Sequence, residues 1–200
     1  MNNSLFAATV KTGLGICLLF LVGCSSSPTA HHYVLSPLTG GTKVPEESCM
    51  TIGIGPIKLP EYVNRPQIVT RTSPNELSLS SFDVWAEPLT DSVPRMLAEN
   101  LSRLICTKEV VLFPWRPSLT PEYRVEVEVL QLDGTLGSTV SLEAWWSVAY
   151  GGDKKARLTR KTTYSEPAAD KGYDTLVQAH SRALAALSRD IAGALKELKK

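Results

Sequence analysis

The chain has 200 residues, 43% of them hydrophobic and 20% charged, with a formal net charge of +1. That is the size of one globular domain with a sizeable core, and so even a balance of charge excludes the basic footprint of a nucleic-acid binder. Beyond the N-terminus no apolar run reaches the length of a membrane-spanning helix.

The first segment predicts export and anchoring. Met1–Lys11 carries one lysine and no acid, and Thr12–Val22 is an apolar stretch that as a helix would span ~16 Å, about half a bilayer core. It fits the hydrophobic region of a signal peptide. Leu21-Val22-Gly23-Cys24 and the following Ser25-Ser26-Ser27-Pro28 resemble a bacterial lipobox. There the Cys24 thiol takes a diacylglycerol group, the chain is cut before it, and the freed amine takes a third acyl chain. At ~0.8 kcal/mol per buried methylene, three chains make a permanent anchor. The other reading is a plain secretory signal that happens to contain Cys24. Ser25, not Asp, follows Cys24, which by resemblance to lipoprotein sorting rules implies the outer membrane. The expected organisation is a signal peptide over 1–23, a lipidated linker over 24–32 and one domain over 33–200. Nine steps from Cys24 to Tyr33 reach at most ~32 Å, so the domain is expected close to the membrane surface. The mature chain loses Lys11 and no acid, leaving 20 basic and 20 acidic residues and no net charge.

Three cysteines then remain, Cys24, Cys49 and Cys106. With Cys24 acylated, Cys49 and Cys106 are either a bridge, as an oxidising compartment favours, or two buried thiols. Sequence spacing leaves both open. His31-His32 lies in the linker, without acids or cysteines near it in sequence, and adjacent side chains diverge. It is read as chain entering a strand, not as a metal pair.

Tyr33-Val34-Leu35 predicts a short strand ended by Ser36-Pro37, and Leu38–Cys49 a surface loop. Thr51–Ile57 predicts a strand whose Gly53 and Gly55 leave one face bare. Such glycines require something packed close to the backbone, and a helix is expected across them. Lys58–Pro66 (KLPEYVNRP) is a loop with a proline near each end. Its Tyr62 and Arg65 make either a partner-docking tip or a turn with an inward-packed tyrosine. Gln67–Thr72 and Glu76–Ser80 predict a hairpin around Ser73-Pro74-Asn75, and Trp85 a core residue beyond it.

A helix follows, with Leu89, Val93, Met96, Leu97, Leu101, Leu104 and Ile105 at a 3.6-residue period. It begins either at Pro88, where Pro94 would kink it, or at Asp91, the start favoured here, which places Pro94 harmlessly in the first turn. Val110–Phe113 predicts a strand. Pro114, Pro117 and Pro121 stiffen an exposed loop carrying Trp115 and Arg116, a second candidate docking tip. Tyr123–Leu132, Thr139–Tyr150 and Ala156–Ser165 alternate as a three-stranded meander, with a turn at Asp133-Gly134. Glu126 and Glu128 lie on its wet face, where Arg157 or Lys161 would pair with them. They are read as solvated, not as an acid–base pair. The last helix, Asp174–Leu198, has an Ala-rich stripe suited to close packing on a sheet, with His180 on it as a core or rim residue.

The whole is an α+β single domain: a mainly antiparallel sheet with two long helices packed on one face. No GxSxG, HExxH or DxD pattern is present, and the chain is not read as an enzyme. No cofactor is expected.

The block Ile52–Leu89 (IGIGPIKLPEYVNRPQIVTRTSPNELSLSSFDVWAEPL), the Tyr33 strand, the Tyr123–Gly134 strand and the final helix GYDTLVQAHSRALAALSRDIAGAL together resemble the ABC-type transport auxiliary lipoproteins of the PqiC family. The resemblance covers most of the mature chain. It implies an outer-membrane lipoprotein facing the periplasm, held there by lipid on Cys24. It also implies partnership with an inner-membrane-anchored MCE-domain protein that forms a lipid tunnel between the membranes. A homo-oligomeric ring would match so symmetric a tunnel. The reading from another class is a stand-alone lipid- or small-molecule-binding envelope lipoprotein, which requires an apolar pocket of several hundred Å3.

Overall fold

A computed structural model describes residues 29–40, 49–116, 119–153 and 155–199. The signal peptide, Cys24, most of the Leu38–Cys49 loop and Pro117 lie outside the described residues. The elements run β1 (His31–Tyr33), β2 (Met50–Lys58), β3 (Gln67–Ser73), β4 (Glu76–Trp85), α1 (Leu89–Leu104), β5 (Thr107–Leu112), β6 (Tyr123–Gly134), β7 (Thr139–Tyr150), β8 (Leu158–Pro167) and α2 (Tyr173–Leu198).

The eight strands form one mixed sheet organised around β6. One edge of β6 pairs antiparallel with β7 from Tyr123 to Gly134, and β7 pairs with β8 in the same sense. The other edge is shared. Its first half pairs parallel with β2, and Gly134 at its end meets Thr70 of β3. Beyond these, β5 adds parallel to β2, β4 closes a hairpin on β3, and β1 adds parallel to β4. The long ladders are antiparallel, as the alternation along β6 and β7 predicts. The short parallel ones arise because chain remote in sequence returns to the same edge, which alternation cannot show.

Both helices cover one face of the sheet and touch each other. Between them and the sheet lie Val125, Val127 and Val129 from β6, Val140, Leu142, Ala144, Trp146 and Val148 from β7, and Leu97, Leu101, Leu184, Leu187 and Ile191 from the helices, all buried. Full burial of one such side chain contributes about 1.5–3 kcal/mol. Small residues at Ala179, Ala183 and Ala194 are also buried, as close helix packing requires.

Several boundaries differ from the sequence expectation. The first strand is His31–Tyr33, not Tyr33–Leu35. Its residues pair with Asp83–Trp85 of β4, and the Asp83 side chain adds to that pairing: its Oδ1 accepts from the Tyr33 hydroxyl at 3.0 Å and lies 3.1 Å from His31 Nδ1. Burial pushes the Asp83 carboxyl up, but hydrogen bonds from Ser80, His31 and Tyr33 outweigh it and hold it below the usual carboxylate range. Helix α1 starts at Leu89, with Pro88 as N-cap, so Pro94 stands inside the helix, not in its first turn. It leaves the Thr90 carbonyl without its usual i+4 donor. Asp133-Gly134 is not a turn but the end of β6; the chain reverses over Thr135–Ser138.

After β1 the chain is sewn across the helix pair. The Ser36 amide donates to Ser181 Oγ at 3.0 Å, and the Leu38 amide to Asn100 Oδ1 at 2.8 Å. Asn100, fully buried on α1, also donates to Ser188 Oγ on α2. Cys49 and Cys106, 57 residues apart, are joined by a disulfide that ties the entry of β2 to the α1–β5 connection.

Candidate docking surface

The loop of residues 59–66 places its two singled-out side chains very differently. Tyr62 turns inward, and its hydroxyl donates to Asp133 Oδ2 at 2.6 Å. Of the two sequence readings, this is the inward-packed tyrosine. Burial, then the hydrogen bond to Asp133, push its phenol up to about 12. Asp133, only 1% exposed, also accepts both forks of Arg71 and the Gln131 amide. Burial raises the Asp133 carboxyl, but these donors, Arg71 foremost, hold it below the usual carboxylate range. A desolvated carboxylate is tolerated only when so fully paired. The network ties the loop to β3 and β6 and thereby fixes where Arg65 sits. Arg65 is half-buried beside Trp85, Pro66 and Pro88 in an open cavity of about 300 Å3.

The bare face of β2 is covered, but not by a helix. A Cβ at Gly53 would lie 2.8 Å from Pro121 Cγ and 3.0 Å from the Trp115 ring; one at Gly55 would lie 2.7 Å from Phe113 Cβ. The proline-rich loop folds back over the glycines, and both helices lie on the opposite face. Trp115 is therefore half-buried and stacked edge-on against Phe113, with ring centres 5.2 Å apart. Arg116 remains exposed, on an open groove of about 390 Å3 along β5. Leu112 and Phe113 are exposed at the same edge.

On the helix-free face of the meander, Trp145 is 43% exposed and faces Glu128 across the β6–β7 ladder. Neither Glu126 nor Glu128 has the basic partner expected. Lys161 pairs with Glu143 instead, and Arg157 with Asp153 at 2.8 Å. Lys161 lies directly across from Trp145, and the carboxylate within its reach is on β7; Arg157 sits beyond the end of the β8 ladder.

His180 is 2% exposed; with the proton on Nδ1 it donates to the Leu176 carbonyl at 2.9 Å and meets Trp85 edge-on. Burial pushes its pKa below the ordinary value. It is a core histidine.

Sequence reasoning missed Asp133 and Arg71. The one available signal was an acid amid buried positions just before Gly134, which turn chemistry explained away. Among the described residues no three His, Cys, Asp or Glu side chains are grouped to hold a metal ion, and no helix is long and apolar enough to cross a membrane.

This arrangement, a mixed sheet with a helix pair on one face and its accessible features on loops and edges, defines the chain as a single-domain α+β protein. It belongs to the ABC-type transport auxiliary lipoprotein component family, whose model matches residues 33–192. That is a transport-auxiliary family, not an enzyme family. The chain is 22% identical over 185 residues to the intermembrane transport lipoprotein PqiC of Escherichia coli K12, covering 92% of this chain and 96% of that one. The Shigella flexneri protein of the same name matches equally. A solved structure from Xanthomonas campestris shares the fold, with a TM-score of 0.67 at 15% identity over 83% of this chain and 94% of that one. Another, of an uncharacterized protein, gives 0.66 at 19% identity over 84% and 99%.

Proposed function

We propose that this chain is a lipid-anchored docking component of an intermembrane lipid transport assembly. It is held at the periplasmic face of the outer membrane by acyl chains on Cys24 and grips an MCE-domain protein of the inner membrane. The observation that carries the reading is the family match across residues 33–192, which spans nearly the whole described domain. The relatives named for intermembrane transport match over 92% of the chain. The spacing from the anchor supports it too. Cys24 and His31 are seven residues apart in the sequence, so the linker reaches at most ~25 Å.

The open form of the cavities at the two candidate tips suits docking. Those at the 59–66 loop and along β5 are open and hold about 300 and 390 Å3, at the lower end of what encloses a small ligand. Arg65 and Arg116 supply the accessible charge, while Tyr62 and Trp115 shape the loops that present them. The role is binding, with no bond-making after maturation. Affinity purification of the lipidated full-length protein from envelope extracts tests it. Recovery of an MCE-domain protein is expected; a bound lipid without any such protein would favour the stand-alone carrier.

A further inference from the structure

We infer that the amino end of α1 carries a two-pocket groove for a partner polypeptide presenting an acidic side chain and, close by, an aliphatic one. This rests on the docking reading and names the chemistry of the segment that docks. The first pocket is the cavity of about 300 Å3 walled by Pro66, Trp85, Ala86 and Pro88. Its cation is Arg65, whose Nε is buried without any acceptor. Other arginines nearby in the chain are committed: Arg71 to Asp133, Arg95 to Glu87 and Arg103 to Glu99. Arg65 forms no ion pair among the described residues and lines this mostly apolar cavity, so a carboxylate seated there suits the outer edge of its guanidinium, Nε itself being enclosed. The α1 amino end adjoins it at Pro88 and has no side-chain cap, adding its positive pole. Three acids are close. Glu87 is held by Arg95, Asp91 is exposed in the first turn, and Glu99, which lines the second pocket, is held by Arg103.

The second pocket, of about 190 Å3, lies between Leu35, Pro37 and Met96 and shares Glu87 with the first. Ser92 lines it, 5% exposed, with its hydroxyl unpartnered. Two side-chain-sized pockets with a common wall suit alternate residues of one peptide. An acyl chain would leave Ser92 unsatisfied; a peptide carbonyl would accept from it.

The test titrates the full mature chain with N-acetylated, C-amidated peptides carrying Asp and Leu two or three residues apart. NMR follows the Arg65 Nε–H and Ser92 amide signals. The Asp peptides are expected to move both, Asn in place of Asp to weaken binding at least tenfold, and Arg65→Gln to abolish that difference. Equal binding of Asp and Asn peptides to the wild type, or shifts that spare both signals, overturns the inference. So does an equal response to sodium phosphate or palmitate at the same concentration. Against the periplasmic part of an MCE partner, Arg65→Gln is expected to cost at least tenfold in Kd; unchanged affinity sinks this groove and leaves the docking role standing. If the wild type binds no such partner, the docking role falls, and the peptides alone decide the groove.

Discussion

Arg71 meets Asp133 edge to edge, Nε to Oδ1 and Nη2 to Oδ2, each at 2.8 Å. The pair joins β3 to the end of β6, where the ladder between them is a single Thr70–Gly134 bridge. Asp133→Ala would leave the Arg71 and Tyr62 donors without their acceptor. Breaking a buried pair on one side costs about 3–5 kcal/mol, so urea unfolding should show a loss in that range. A loss below about 1 kcal/mol would mean the network is replaceable by water.

The same carboxylate gives a pH dependence. Despite burial, its folded pKa lies below the ordinary carboxylate value, held there chiefly by Arg71. Its contribution is therefore complete above that value and is lost as pH falls through the folded pKa. Thermal unfolding of the wild type should weaken on acidification below about pH 4, and Asp133→Asn should flatten that part of the profile.

Gly53→Ala tests the cover over β2. The added methyl would press on the rigid ring of Pro121 at 2.8 Å and on Trp115 at 3.0 Å, so the loop must lift. Overpacking of this kind costs about 1–3 kcal/mol. Red-shifted tryptophan emission should accompany it, and the shift should vanish in a Trp115→Phe background. An unshifted, fully stable Gly53→Ala protein would mean the loop does not rest there.

The disulfide closes a loop set by a 57-residue separation. On chain-entropy grounds its removal costs about 4 kcal/mol. The Cys49→Ala, Cys106→Ala double variant should unfold at correspondingly lower urea, while the reduced wild type should behave like it.

Cys24→Ala tests the anchor. Labelling with a radioactive fatty acid should disappear, and uncleaved precursor should accumulate. Normal maturation of that variant would leave a soluble secreted protein instead.

Where one residue period decided an element, the sequence was enough. The strands of the β6–β7–β8 meander and the stripe of α2 follow from spacing, because burial on one face forces that spacing, and the β3–β4 hairpin follows from the turn residues Ser73-Pro74-Asn75. What joins distant segments was hidden. Gly53 announced a close approach but not its source, since Trp115 and Pro121 arrive from more than sixty residues downstream. Tyr62 and Arg65, three residues apart, differed in fate because only one could reach Asp133. Buried polar residues such as Asn100 break the apolar period, and only their partners on other elements explain them.

The lacing of Ser36 and Leu38 onto α2 and α1 has a mechanical consequence. A pull from the amino-terminal side meets the short β1–β4 ladder first, and any unravelling that passes it is arrested at Ser36 and Leu38, which are fastened to both helices. Load entering from the amino-terminal side would therefore pass into both helices at once and be shared by the whole core, not carried by one edge strand.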